Sequence, residues 1–287
     1  MQPSEPAGVI HDIGYQRYTG ERLGRGYAVR SLYTHGFRTA FGLGRTGKSK
    51  LFPWFVVGIM TLIAAVSIVI RSETGRVVIP YMNFPRTVII PLLVFVAASA
   101  PELVSRDLQS KVLSLYLARP LTRTDYVVAK LGAFVSAIFA LLAVPMLLMF
   151  VDGAFSVDGV SAIGHEFNDF LGGLGVAAIY AIAYGTIALL IAALLPRRMA
   201  AAAVIAGYVL VTSAVGLALG QIIGGNLGKS VGQMISPPTM VEGLKEWIYH
   251  VHFTNTEGYG LAFLAVSVGV VLVSTSLLLL RYRKVSI

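Results

Sequence analysis

The chain has 287 residues, of which 56% are hydrophobic and 13% charged, against roughly 25% charged in a soluble domain. Its mean hydropathy of +0.75 is too high for a chain that covers itself with polar surface, so it must lie in lipid. The net charge of +9 then concerns membrane orientation rather than nucleic acid, and the absence of cysteine excludes disulfides, Cys-ligated zinc, iron–sulfur clusters and thiol nucleophiles. Residues 1–50 are polar and basic, and no secretory signal pattern precedes the first apolar stretch. Within them Val29, Tyr33, Phe37, Ala40 and Phe41 recur at helical spacing, with Arg30 and Arg38 beside them. This predicts a basic amphipathic helix over 26–41, lying in the headgroup plane of an anionic leaflet.

Gly42-Leu43-Gly44-Arg45-Thr46-Gly47-Lys48-Ser49 fits the phosphate-loop pattern without a mismatch. A working phosphate loop needs a strand before it, a soluble helix after it and a second acid for magnesium. Here a helix precedes, and Pro53 and an apolar span follow. The one lookalike for the acid, Asp152, falls at the other face of the membrane. The octet reads as a basic glycine-rich hinge.

Six segments are long and apolar enough to cross a bilayer: 51–70, 84–100, 126–151, 170–195, 199–223 and 259–280. The predicted fold is therefore all-α, a polytopic membrane domain over 51–287 behind a cytoplasmic N-terminal region, 1–50. Pro145 is expected to kink the third span, and Arg197-Arg198 to form a tight hairpin between the fourth and fifth. Of the 23 Lys and Arg, eighteen fall before the first span, between the second and third through Lys130, in the fourth–fifth turn and in the tail. The stretch 152–169 has four acids and no Lys or Arg. The positive-inside rule puts the eighteen, and both termini, in the cytoplasm of a plasma-membrane protein. No span has an ionisable residue at its centre; Asp125 and Lys130 sit at the mouth of the third, where a lysine can snorkel. Ion-coupled carriers need such a group on the pathway, so the energy is expected from another chain.

Between the second and third spans, Val104, Leu108, Val112, Leu115 and Tyr116 form one helical stripe, with Leu113 and Leu117 on the polar side. Pro120 stops the helix, and Thr124 or Asp125 is placed to cap the next. Arg106-Asp107, the Leu-rich turn 113–117, Pro120-Leu121-Thr122-Arg123, Asp125 and Ala129-Lys130 together resemble the membrane subunits of type-2 ABC exporters, the ABC-2 permeases. Lys111 stands where many members have glycine. The resemblance implies a coupling helix within 102–124 that docks on a separate ATPase subunit, through Arg106, Asp107, Leu113, Leu117, Arg119, Pro120 and Arg123. It implies a connecting helix near 26–46 and short outer re-entrant helices within 224–258. It also implies a second permease subunit, identical or paralogous, with ATP and magnesium bound by the ATPase and no cofactor in this chain.

Gly216, Gly220, Gly224, Gly228 and Gly232 recur at every fourth residue, which suits close helix packing, with Gly216, Gly220 and Gly224 as the packing residues; Gly225 and Asn226 are placed to break the helix there, so the run need not be continuous. After Ser236-Pro237-Pro238, the residues Met240, Leu244, Trp247, Ile248 and Val251 predict an outer helix dipping into the headgroups. Glu246, His250 and His252 lack a further ligand for a metal site, and His165-Glu166 lacks the second histidine of a zinc protease. The reading is a permease for hydrophobic or amphipathic export driven by a partner ATPase. The alternative is an ATP-independent secondary transporter or channel. A membrane enzyme would need convergent His, Asp, Glu or Ser groups at one depth, and the sequence offers none.

Overall fold

The computed structural model describes residues 23–44, 47–109, 116, 121–157, 159–250 and 258–284, and among them all regular structure is helical. α1 (Arg25–Ala40) turns Leu32, Gly36, Thr39 and Ala40 inward and leaves Arg30, Thr34 and Arg38 exposed. Gly36 lets it lie hard against α6, since a methyl there would stand 2.9 Å from the Ala133 Cβ. α1 ends in a Schellman turn: Gly42 has φ +67, its N–H donates to the Thr39 carbonyl, and the Leu43 N–H donates to the Arg38 carbonyl. The first glycine of the phosphate-loop pattern is thus the left-handed residue just past the helix cap Phe41, preceded by a helix and not by a strand.

α2 (Gly47–Thr74) is followed by a 3₁₀ turn, Tyr81–Asn83, and the short α3 (Phe84–Thr87). Next come α4 (Ile89–Leu103), α5 (Ser105–Gln109), α6 (Arg123–Ser156), α7 (Val160–Leu194) and α8 (Arg198–Ile223). The short α9 (Gly225–Ile235) and α10 (Pro237–Tyr249) precede α11 (Gly260–Lys284). Among the described residues six helical stretches, containing α2, α4 with α5, α6, α7, α8 and α11, are long and apolar enough to cross a membrane. They match the six expected spans. α6 and α7 run further than hydropathy indicates, so most of the acidic stretch 152–169 is helical. Apolarity marks the lipid-soluble part of a helix, and the hydrogen-bonded coil continues into the headgroups where water satisfies its side chains. α6 runs through Pro145 without interruption.

α7 is the central helix. Gly173, Ala177, Ala181 and Gly185, four residues apart, are all buried on it. Gly185 lies where a methyl would stand 2.8 Å from Val135 of α6. Small residues at this spacing let neighbouring backbones approach, which in lipid replaces the hydrophobic drive available in water. α2, α8 and α11 keep large apolar side chains outward, among them Phe55, Leu62, Leu210, Leu217, Leu272 and Val273.

The glycine run does not form one line on one helix. Gly224 (φ +68) and Gly225 (φ +62) break it, and α9 folds back along α8. Gly216 then faces Gly232 and Gly220 faces Gly228, backbone against backbone; a methyl on Gly228 would stand 2.7 Å from the Gly220 carbonyl oxygen. The repeat of four is the register of a helical hairpin whose centre is Gly224.

Candidate functional site

α1, α5, the start of α6 and the ends of α7 and α11 meet at one end of the bundle, here called the basic end. Thr122 caps α6: its hydroxyl accepts from the Asp125 N–H at 3.1 Å, and its own N–H donates to Asp125 Oδ2 at 2.9 Å. This is a capping box with Asp125 at its third helical position, so the cap is Thr122 and not the expected Thr124 or Asp125. Arg25 donates to both oxygens of the same carboxylate, at 2.7 and 2.8 Å, tying α1 to the first turn of α6.

Asp107 of α5 faces the bundle. It accepts from the Tyr126 hydroxyl at 2.7 Å and pairs with Lys130 Nζ at 2.8 Å. Lys130 also donates to the Leu103 carbonyl, the last of α4, at 2.9 Å. It is only 3% exposed, so it does not snorkel to water but points into the bundle, because a carboxylate and a helix-end carbonyl are offered there. The Tyr126 ring lies between Tyr116 and Tyr282, with centroids 5.8 and 5.1 Å away. Ser105 donates to the Ala192 carbonyl at 2.7 Å, Arg198 pairs with Glu102, and Arg123 donates to the Arg283 carbonyl. The two ends of the segment 102–124 are thus held to α6, α7, α8 and α11.

At the opposite end Arg71 donates to both oxygens of Glu166, at 2.7 and 2.9 Å. The Tyr81 hydroxyl donates to Glu166 and to the Met149 carbonyl at 3.3 Å. Burial first, and then the hydrogen bond to Glu166, raise the Tyr81 pKa well above the usual phenol value, so it stays a donor. This ties α2, the 3₁₀ turn, α6 and α7 together.

A model of the family described as ABC-2 family transporter protein matches residues 56–287, most of the chain and all but the first few residues of the six-span body. The chain belongs to the ABC-2 transporter family. No curated protein matches it. The ABC-2 chain is a multi-pass membrane protein, and the family supplies membrane subunits rather than catalytic ones.

Of the coupling residues that the resemblance implies, Asp107 and Arg123 are turned into contacts within this ABC-2 chain. Arg106 lies on α5. Leu113, Leu117, Arg119 and Pro120 lie outside the described residues. His252 lies outside them too, and His250 is the left-handed cap of α10 (φ 53).

The sequence reading missed one cluster. α10 is packed against the bundle, with a different face inward from the one its apolar stripe suggested. Met240 through Glu246 are all buried, whereas Trp247 and Ile248 of the expected apolar stripe are 37% and 41% exposed. Lys245 is fully buried; its Nζ donates to Glu242 at 2.5 Å and to Asn83 at 3.0 Å. Glu242 also accepts from the Tyr180 hydroxyl at 2.6 Å, and Arg86 lies 3.5 Å away. Tyr180 is fourteen residues from both Glu166 and Leu194, about 21 Å each way at 1.5 Å per residue. The pair therefore sits inside the bundle, between the level of Tyr180 and the end marked by Asn83. The six spans have uncharged centres, but a helix outside them brings an ionic pair into the buried interior of the bundle. Its only sequence signal is an acid and a base three residues apart inside an apolar-rich segment.

Proposed function

We propose that the chain is the membrane subunit of an ATP-driven exporter, with ATP and magnesium bound by a separate ATPase subunit. Its working unit holds a second permease subunit, identical or paralogous, and the lipid membrane; no nucleic acid is involved. The observation that carries this reading is the family match over 56–287. It is supported by the basic end, where both ends of 102–124 are fastened to four helices. A force applied to a loop held this way reaches the whole bundle, and interfaces of packed helices respond by switching between discrete arrangements. The basic end faces the cytoplasm on the positive-inside rule, and the membrane is the plasma membrane. The outward apolar faces of α2 and α8, together with α4, suit hydrophobic or amphipathic cargo.

The buried Glu242–Lys245 pair favours a second reading, an ATP-independent secondary transporter or channel, because intramembrane ionisable groups mark ion pathways. One experiment separates the two. Co-expressed with an ATP-binding cassette protein encoded beside it, the tagged chain should retain that protein through purification, and vesicles of the complex should move cargo only with ATP. Leu113→Asp and Leu117→Asp should leave ATP hydrolysis intact and abolish transport. Transport by the chain alone, without nucleotide, would establish the second reading.

A further inference from the structure

α1 is docked on the bundle by the face that carries Leu32, Gly36 and Ala40, so the rest of its surface is held in a fixed orientation. Counted at about 100° per residue from Arg30, the residues Gly26, Val29 and Tyr33 fall on one side of that arginine, and Tyr27, Ser31, Thr34 and Arg38 on the other. Each side borders a recess. On the first, an open groove of about 690 Å³ runs between α1 and α6, walled by Val29, Tyr33, Val128, Ala129 and Gly132. On the second, a recess of about 530 Å³ is lined by Tyr27, Ser31, Thr34 and Arg38 and bounded by the turn at Leu43 and Gly44. Arg30 lines both.

The two recesses have opposite chemistry. Apart from Arg25 and Arg30 at its edge the groove is apolar, and Val128, near the start of α6, is 57% exposed on its wall. Gly132 keeps the groove open: its Cβ position lies 3.7 Å from the Tyr33 ring, so a methyl fits and a longer side chain fills the space. The other recess offers the hydroxyls of Ser31 and Thr34 and the guanidinium of Arg38. Arg25 is neutralised by Asp125, whereas no carboxylate among the described residues meets Arg30 or Arg38, so the site as a whole is cationic. A ligand that suits both sides has an apolar chain next to an anionic group that a guanidinium can hydrogen-bond. A basic helix adsorbed on a charged surface is held by charge alone, but a groove beside the charge also selects for the chain.

We propose that this side of α1 binds one anionic phospholipid: its phosphodiester rests on Arg30, its headgroup enters the recess with Ser31, Thr34 and Arg38, and an acyl chain lies in the groove between α1 and α6. The lipid comes from the leaflet at the basic end, the cytoplasmic one on the positive-inside rule. Bound there, it joins α1 to α6 beside the Arg25–Asp125 contact. The site is the same whether or not an ATPase drives the chain.

The purified full chain in detergent is titrated with phosphatidylglycerol, with phosphatidylcholine and with glycerol 3-phosphate, and bound lipid is counted by native mass spectrometry. Phosphatidylglycerol should saturate at one molecule per chain, at a concentration about tenfold lower than phosphatidylcholine, because two arginines favour the net negative headgroup. Arg30→Gln, at an exposed position, should weaken phosphatidylglycerol about fivefold and leave phosphatidylcholine unchanged. Gly132→Leu should weaken both lipids and Gly132→Ala neither; if the leucine variant does not fold, Val128→Gln at its exposed position takes its place. Equal or reversed preference between the lipids, binding that rises without saturation, or an Arg30→Gln chain that matches the wild type would overturn the site. Displacement of phosphatidylglycerol by equimolar glycerol 3-phosphate would overturn it too, by showing that a phosphate alone is bound. Lipid retention untouched in the folded groove variant would remove the acyl chain from the groove and with it the proposal.

Discussion

Lys130 is the residue whose environment departs most from its place in the sequence. A lysine one turn inside a span is ordinarily drawn to the headgroups, but here Asp107 and the Leu103 carbonyl receive it inside the bundle. Breaking such a pair from one side strands the other charge, at a cost of about 3–5 kcal/mol, whereas removing both charges costs far less. Lys130→Met and Asp107→Asn should each lower the thermal midpoint of the detergent-solubilised protein by several degrees. The double variant should recover most of the loss. A double variant less stable than either single one would mean that the two side chains act through separate contacts. The Arg25–Asp125 pair is bidentate but has a largely exposed arginine, so Arg25→Ala should leave the midpoint nearly unchanged in the same measurement.

Among the elements, the α8–α9 hairpin rests on glycines whose partners are backbone atoms and cannot rotate away. Gly216→Ala and Gly232→Ala should each drive the two helices apart and lower the midpoint measurably, because the added methyl meets a carbonyl. Gly207, on the same helix with open space at its Cβ position, is the control. Gly207→Ala should leave the midpoint unchanged or raise it, since alanine gains about 0.5–1 kcal/mol over glycine in a helix interior. Equal effects at 207 and 216 would mean that the close approach contributes nothing. The repeat itself was plain in the sequence. Its use in a hairpin was not, since every fourth residue lines up on a continuous helix as well as across a folded one, and only the positive φ angles at Gly224 and Gly225 choose between them.

For the whole molecule, the sorting of 18 of 23 basic residues to one end predicts sidedness. Ser31→Cys and Ser161→Cys, both at exposed positions in a cysteine-free chain, should label from opposite faces of sealed vesicles. Labelling from the same face would reverse the assignment of one end. The six spans were legible because lipid demands long unbroken apolar runs. The segment 102–124 was legible as a motif. The sequence could not tell which of its residues turn inward, because Asp107 finds its partners 19 and 23 residues away along the chain, on α6. The α10 pair was illegible for the same reason: Glu242 and Lys245 read as polar residues of an outer helix until Tyr180 and Asn83 are placed beside them.

The sequence by itself determined the solvent of this protein, the number of its spans, the grouping of its basic residues and its resemblance to ABC-2 permeases, all properties that local composition and spacing carry. Only the tertiary structure decided the inward face of α10, the inward course of Lys130 and Asp107 and the folding-back of the glycine run. The physical reason is that a buried charge or a bare backbone is tolerated only where a partner distant in the chain meets it, and that partner's position is a property of the packed bundle.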